Sequence, residues 1–144
     1  MIKTIIHESI VLAIIIRKNF SAEGIHFFTP QDFSQQLGYM NRPKGYIIAP
    51  HSHNEVKREV LLTNEVLFVK SGKVRVDFYQ KNQNYLESEL LLPGDVILLA
   101  SGSHGFEMLE PSEMIEVKQG PYAGENDKTI YSSLRPKNII INES

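Results

Sequence analysis

The chain has 144 residues, enough for one domain with a real core and too few for two. Fifteen Lys and Arg stand against 17 Asp and Glu, a net charge of -2 with no basic stripe, which argues against a dedicated nucleic-acid surface. With no cysteine, disulfide staples, thiolate metal sites and thiol nucleophiles are excluded.

The first twenty residues carry two apolar runs broken by His7, Glu8 and Ser9. The longer run, Ile10 to Ile16, ends at Arg17 and Lys18, far short of the ~20 apolar residues that cross a bilayer. Neither run has the layout of a signal peptide, so the chain is expected to be soluble and cytoplasmic, with no membrane partner. Dense β-branched content predicts strands over Lys3–His7 and Ile10–Arg17. Both are apolar on both faces. A terminal strand of that kind calls for a cover, either a helix of the same chain or a second subunit, and the expectation is a homodimer with residues 1–20 at its interface.

Thr29 as N-cap, Pro30 at the first helical position and Asp32 in the first turn predict one short helix, with Phe33 and Leu37 on one face and Gly38 closing it. A loop over residues 41–45 then leads into a predicted strand, Tyr46–Ala49, that delivers His51 and His53. On a strand two such imidazoles point the same way, an arrangement that invites a metal ion.

From Glu65 onward the pattern is β throughout. Glu65–Lys70 and Lys73–Tyr79 form a hairpin about Ser71 and Gly72. Val74, Val76 and Phe78 are expected inside, with Lys73, Arg75, Asp77 and Tyr79 outside. Further strands are predicted over Tyr85–Leu92, Val96–Ala100, Phe106–Leu109 and Glu113–Lys118, punctuated by turns at residues 81–84, 93–95 and 101–105. Many short strands with Gly and Pro punctuation indicate an all-β barrel or sandwich forming a single domain over 1–144. After Lys118 periodicity is lost, and Ile139–Ile141 is expected to be a last strand crossing to a partner.

Glu65 shares strand parity with Leu67 and Val69. If that face is interior, its carboxylate must be protonated, paired or bound to a metal. A salt bridge to Arg58 or Lys73 is the structural alternative. His104 lies in a Gly-flanked turn that could bring it back toward the histidine pair. His51, His53, Glu65 and His104 together make a plausible ligand set for a divalent ion such as zinc, iron, manganese or nickel. His7 and His26 have no partner nearby in sequence. Arg58, Arg75 and Tyr79 are expected on solvated strand faces, and Glu107, of opposite parity to His104, is expected outside the ligand set.

These residues carry a resemblance. Gly45, five residues, His51-x-His53, then Glu65, six residues and Gly72 resemble the first motif of the cupins, G-x5-H-x-H-x3/4-E-x6-G. Gly94, five residues, then Ala100, Gly102 and His104 resemble the second, G-x5-P-x-G-x2-H-x3-N. The match spans about Gly45 to Lys118 and implies a cupin-type β-barrel, the jelly-roll-like double-stranded β-helix, with His51, His53, Glu65 and His104 as metal ligands. The departures are eleven residues between His53 and Glu65, Ala100 in place of proline, one residue instead of two before His104, and Met108 in place of Asn. The long insertion makes Glu59 the alternative carboxylate ligand.

More narrowly, the stretches from Glu65 to Tyr79, Pro93 to Glu110 and Glu113 to Gly124 resemble small bacterial cupins of surface-polysaccharide and nucleotide-sugar gene clusters. That implies a small-molecule ligand, a sugar or nucleotide sugar, and an isomerase or epimerase activity. A metal-free epimerase or ketoisomerase, an iron-dependent dioxygenase, and a non-catalytic metal- or sugar-binding module stay open beside it.

Overall fold

A computed structural model describes residues 1–132 and 134–142. Ten strands follow one another: β1 Ile2–His7, β2 Ile10–Ile16, β3 Gly24–Phe27, β4 Gly38–Asn41, β5 Glu65–Ser71, β6 Val74–Tyr79, β7 Tyr85–Leu91, β8 Val96–Leu99, β9 Ser103–Met108 and β10 Glu113–Lys118. They form three antiparallel sheets, in the orders β1-β2-β8-β5-β10, β3-β4 and β7-β6-β9. One 3₁₀ turn, Gly124–Asn126, is the only helical element among the described residues. None of the described residues forms a helix long and apolar enough to cross a membrane.

The five-stranded and three-stranded sheets face each other across one apolar core. Ile5, Ala13 and Ile15 from the first hairpin and Leu67, Val69, Ile97 and Leu99 from β5 and β8 meet Val74, Val76, Phe78 and Leu91 of the smaller sheet. Each contributing strand alternates, so period two places every second side chain in this layer. Val74, Val76 and Phe78 point inward as their spacing predicts. The result is an open sandwich in which no closed barrel forms among the described residues.

The first hairpin turns at Glu8 and Ser9, both with positive φ, as a two-residue loop requires. Strand β2 is buried on both faces because a second core lies outside the large sheet. There Ile14, Ile16 and Leu98 pack with Leu37 and with Phe20, Phe28 and Phe33. The cover predicted as a helix or a second subunit is therefore the chain's own segment 20–37. The apolar outer face of β2, from which a homodimer was expected, is accounted for within the chain.

That segment contains no helix, which corrects the prediction over residues 29–38. Thr29 Oγ1 accepts from the amide of Leu37 and donates to Gln36, spanning eight residues where an N-cap would span two or three. Gln36 Nε2 donates to the carbonyls of Pro30 and Phe33, groups a helix would have used itself. Phe28, Phe33 and Leu37 all reach the second core, so tertiary burial overrides the capping pattern. Gly38 opens β4 instead of closing a helix.

The outer face of the smaller sheet is less solvated than predicted. Asp77 and Tyr79 are buried, as is Ser88 of the neighbouring strand. Asp77 takes hydrogen bonds from Ser88 and from the guanidinium of Arg75, which also pairs with Glu107 at 2.6 Å. The tail runs along the β7 edge, where the amide of Ser88 donates to the carbonyl of Ile140 and Ser88 bridges Ile141 in parallel. Residues 139–141 thus dock on their own chain through one bridge, where a strand crossing to a partner was expected. Lys3 Nζ donates to the carbonyl of Asn142, tying the tail back to β1.

Candidate functional site

Glu65 opens β5 on the face shared by Leu67 and Val69, both fully buried, so its parity places it on the inner side of the sandwich. His104 lies on β9, which begins at Ser103, three residues earlier than the turn-rich sequence suggests. It pairs with Phe78 across β6 and shares a face with Phe106. The two inward faces converge at one end of the core. His104 Nε2 lies 3.3 Å from Glu65 Oε2, with the two side chains 28 % and 19 % exposed.

Two neighbours complete this end of the sandwich, and neither was picked out from the sequence. β10 pairs with β5 so that Lys118 stands opposite Glu65 and Glu116 opposite Leu67. Both share the inner face. Lys118 Nζ lies 4.0 Å from Glu65 and 2.9 Å from Glu116. Their parity on β10 was readable, but the register that sets Lys118 beside Glu65 was not. Glu65 is paired here with His104 and Lys118, and not with Arg58 or Lys73 as the structural alternative supposed.

The Glu65 carboxyl is held below its ordinary value, chiefly by its polar contact with His104. Burial pulls the other way, and the charges of His104, Lys118 and Lys128 reinforce the contact. Its surroundings therefore favour the ionised carboxylate of Glu65.

His51 and His53 form a second pair, their rings 5.3 Å apart in an edge-to-face arrangement. They are not on a strand. Residues 42–64 carry no regular secondary structure and are exposed up to Thr63, which corrects the strand predicted over Tyr46–Ala49. Pro43 and Pro50 bracket that stretch and withhold two backbone donors from any ladder, so Tyr46, Ile47 and Ile48 lie uncovered. His51 is oriented locally, its Nδ1 3.0 Å from the carbonyl of Ala49. The predicted ligands thus come as two pairs, Glu65 with His104 and His51 with His53. Among the described residues no group of three or more His, Asp or Glu side chains converges on one point.

Asn64, also unpredicted, joins the exposed segment to β5. It is 5 % exposed and binds in three directions. Its amide nitrogen donates to Gln119, its Nδ2 donates to the carbonyl of Ala100, and its Oδ1 accepts from Ser34. This fixes the residue next to Glu65. Glu59, the alternative carboxylate, lines a cleft outside the large sheet together with Asp32. His26 sits on β3 against the carbonyl of Glu23, and His7 lies near Glu8 in the first turn.

No family model, curated protein or solved structure matches the chain.

Proposed function

We propose that this chain is a metal-binding cupin whose site is built on Glu65 and His104 and completed by His51 and His53. Its sandwich would then be the cupin-type barrel in an open form. The observation that carries the reading is the Glu65 and His104 pair, two inward side chains from facing sheets with donor atoms 3.3 Å apart. In a tetrahedral site with bonds of about 2.0 Å, neighbouring donor atoms are separated by about 3.3 Å. A carboxylate kept ionised by its surroundings is the form a divalent ion requires.

His51 and His53 lie on the segment that runs directly into Glu65, and in this reading that segment brings them to the ion. The lining favours a polar small molecule, with Lys118 and Glu116 beside the pair, and a sugar or nucleotide sugar undergoing isomerisation or epimerisation is the proposed substrate. A bound ion would supply Lewis-acid polarisation of a substrate carbonyl. Lys118 balances the charge of Glu65.

The test is the metal content of protein purified without chelators, compared with His53→Ala and Glu65→Gln. The expected result is about one divalent ion per chain, with occupancy falling about tenfold or more in each variant. Unchanged occupancy in both variants overturns the metal reading. The same samples separate the alternatives. Iron with oxygen uptake favours a dioxygenase, activity that survives chelation favours a metal-free epimerase or ketoisomerase, and a filled site without turnover favours a binding module.

A further inference from the structure

Outside the large sheet, away from the Glu65 and His104 pair, lies a cleft of about 480 Å³. This is within the size range of small-molecule sites. Four separated parts of the chain build it: the first hairpin at Ser9 and Ile10, the loop at Pro30 to Ser34, the segment Glu59 to Asn64, and the turn at Ala100 and Ser101. Its floor is fixed. Asn64 is buried there and held by Ser34, Gln119 and the carbonyl of Ala100.

The walls are apolar, and part of them is uncovered. Leu61 and Leu62 are 85 % and 61 % exposed at the rim, while Phe33 and Val11 lie deeper. Against these walls stand two solvent-exposed carboxylates, Asp32 and Glu59. Among the described residues neither makes an ion pair or a side-chain hydrogen bond, and the lining holds no Lys, Arg or His. The hydroxyls of Ser9, Ser34 and Ser101 add neutral acceptors.

From this lining we infer that the cleft is a second binding site, for a small organic cation with an ammonium head and an apolar body. The body buries the exposed leucines, and the head takes the two unpartnered carboxylates. A phosphate or diphosphate is disfavoured because it would meet like charge with no cation to offset it. The observations behind this site are separate from the Glu65 and His104 pair, and binding there needs no metal.

The test uses the full chain and three probes of one shape: 2-phenylethylammonium, neutral 2-phenylethanol and anionic 3-phenylpropionate, followed by calorimetry and amide chemical shifts. The ammonium should bind about tenfold more tightly than the alcohol, and the carboxylate more weakly than either. Its shifts should fall on Leu61, Leu62 and Ser101. In the double variant Asp32→Asn, Glu59→Gln the ammonium should fall to the affinity of the alcohol, which should itself stay unchanged. The inference is overturned if the three probes bind alike, if the ammonium fails to saturate by about 10 mM, or if its shifts map elsewhere. The comparison of probes on the unmodified chain decides the matter even if the double variant does not fold.

Discussion

Arg17 is the residue whose loss should cost this fold most for its size. It leaves the end of β2 and donates to Glu89 at 2.5 Å, to Asp95 at 3.0 Å and to the carbonyl of Leu90 at 2.6 Å. Glu89 and Asp95 are 1 % and 3 % exposed. Lys3 meets the other oxygen of Glu89 at 2.5 Å, so two buried acids are balanced by two bases drawn from the first hairpin. Arg17→Met keeps the apolar stem and removes the charge. Glu89 then has only Lys3, Asp95 keeps only the amides of Lys18 and Leu92, and the Leu90 carbonyl loses its donor. Breaking a buried pair from one side costs about 3–5 kcal/mol. Set against about 5–15 kcal/mol for a whole domain, that is at least about a fifth of the stability. At about 2–4 °C per kcal/mol the melting temperature should fall by about 6–20 °C. Urea unfolding followed by far-UV circular dichroism measures it, with an unchanged slope expected. The pair Arg17→Met and Glu89→Gln should cost less together than the sum of the two, since each removes part of the other's partner. A loss below about 1 kcal/mol, the value of an exposed pair, or strict additivity would refute the claim that this cluster is a buried, mutually dependent unit.

Acid should remove a contribution made by Glu65. Its folded-state carboxyl titrates below the ordinary value of 4.5, so the unfolded chain binds more protons in that range and stability rises with pH. The contribution is complete above pH 4.5 and is lost as pH falls through the folded value. The stability difference between the wild type and Glu65→Gln, read from urea midpoints at stepped pH, should therefore shrink on acidification; a constant difference would contradict the assignment. Gly72→Ala should cost at least about 2 kcal/mol in the same assay. Gly72 holds φ at +84°, and an added methyl would fall on the carbonyl of Pro111 and the backbone of Ser112. A loss within about 0.5 kcal/mol would show that the hairpin and the residue 111–112 turn separate freely.

Parity carried far in this chain, and register did not. Val74, Val76 and Phe78 were assigned inward from alternation alone, and the same rule put Glu65 on the face of Leu67 and Val69. Both assignments need only the chain's own period of two. The contact of Glu65 with His104 needs more. It depends on β5 and β9 lying in facing sheets, on β9 pairing with β6 so that His104 stands opposite Phe78, and on β10 setting Lys118 beside Glu65. None of these pairings is encoded in a window of sequence. The short helix failed for a related reason. A cap, a proline and two apolar residues four apart describe a helix locally, but Phe28, Phe33 and Leu37 are spent on covering Ile14 and Leu98. Local preferences worth tenths of a kcal/mol yield to burial worth about 1.5–3 kcal/mol per large side chain.

The segment 42–64 shows the same limit from the other side. Tyr46, Ile47 and Ile48 have strand propensity, yet a strand is stabilised by pairing across a ladder, and here no partner strand runs beside them. His51 and His53 nevertheless end with their rings in contact, because two residues one apart are close whether or not the backbone is regular. The inference from spacing to a shared strand face failed, because no strand forms over residues 42–64. It is the closeness of the two rings, together with the fixed joint at Asn64 leading into Glu65, that gives the proposed four-ligand site its geometry to be tested. The eleven-residue segment between His53 and Glu65 runs through Glu59, Leu61 and Leu62, which line the outer cleft. A movement that brought the two histidines to Glu65 and His104 would act on the same segment that lines that cleft. Metal loading and occupation of the cleft by a small cation should then influence each other's affinity by the same factor, since a coupling between two sites is reciprocal.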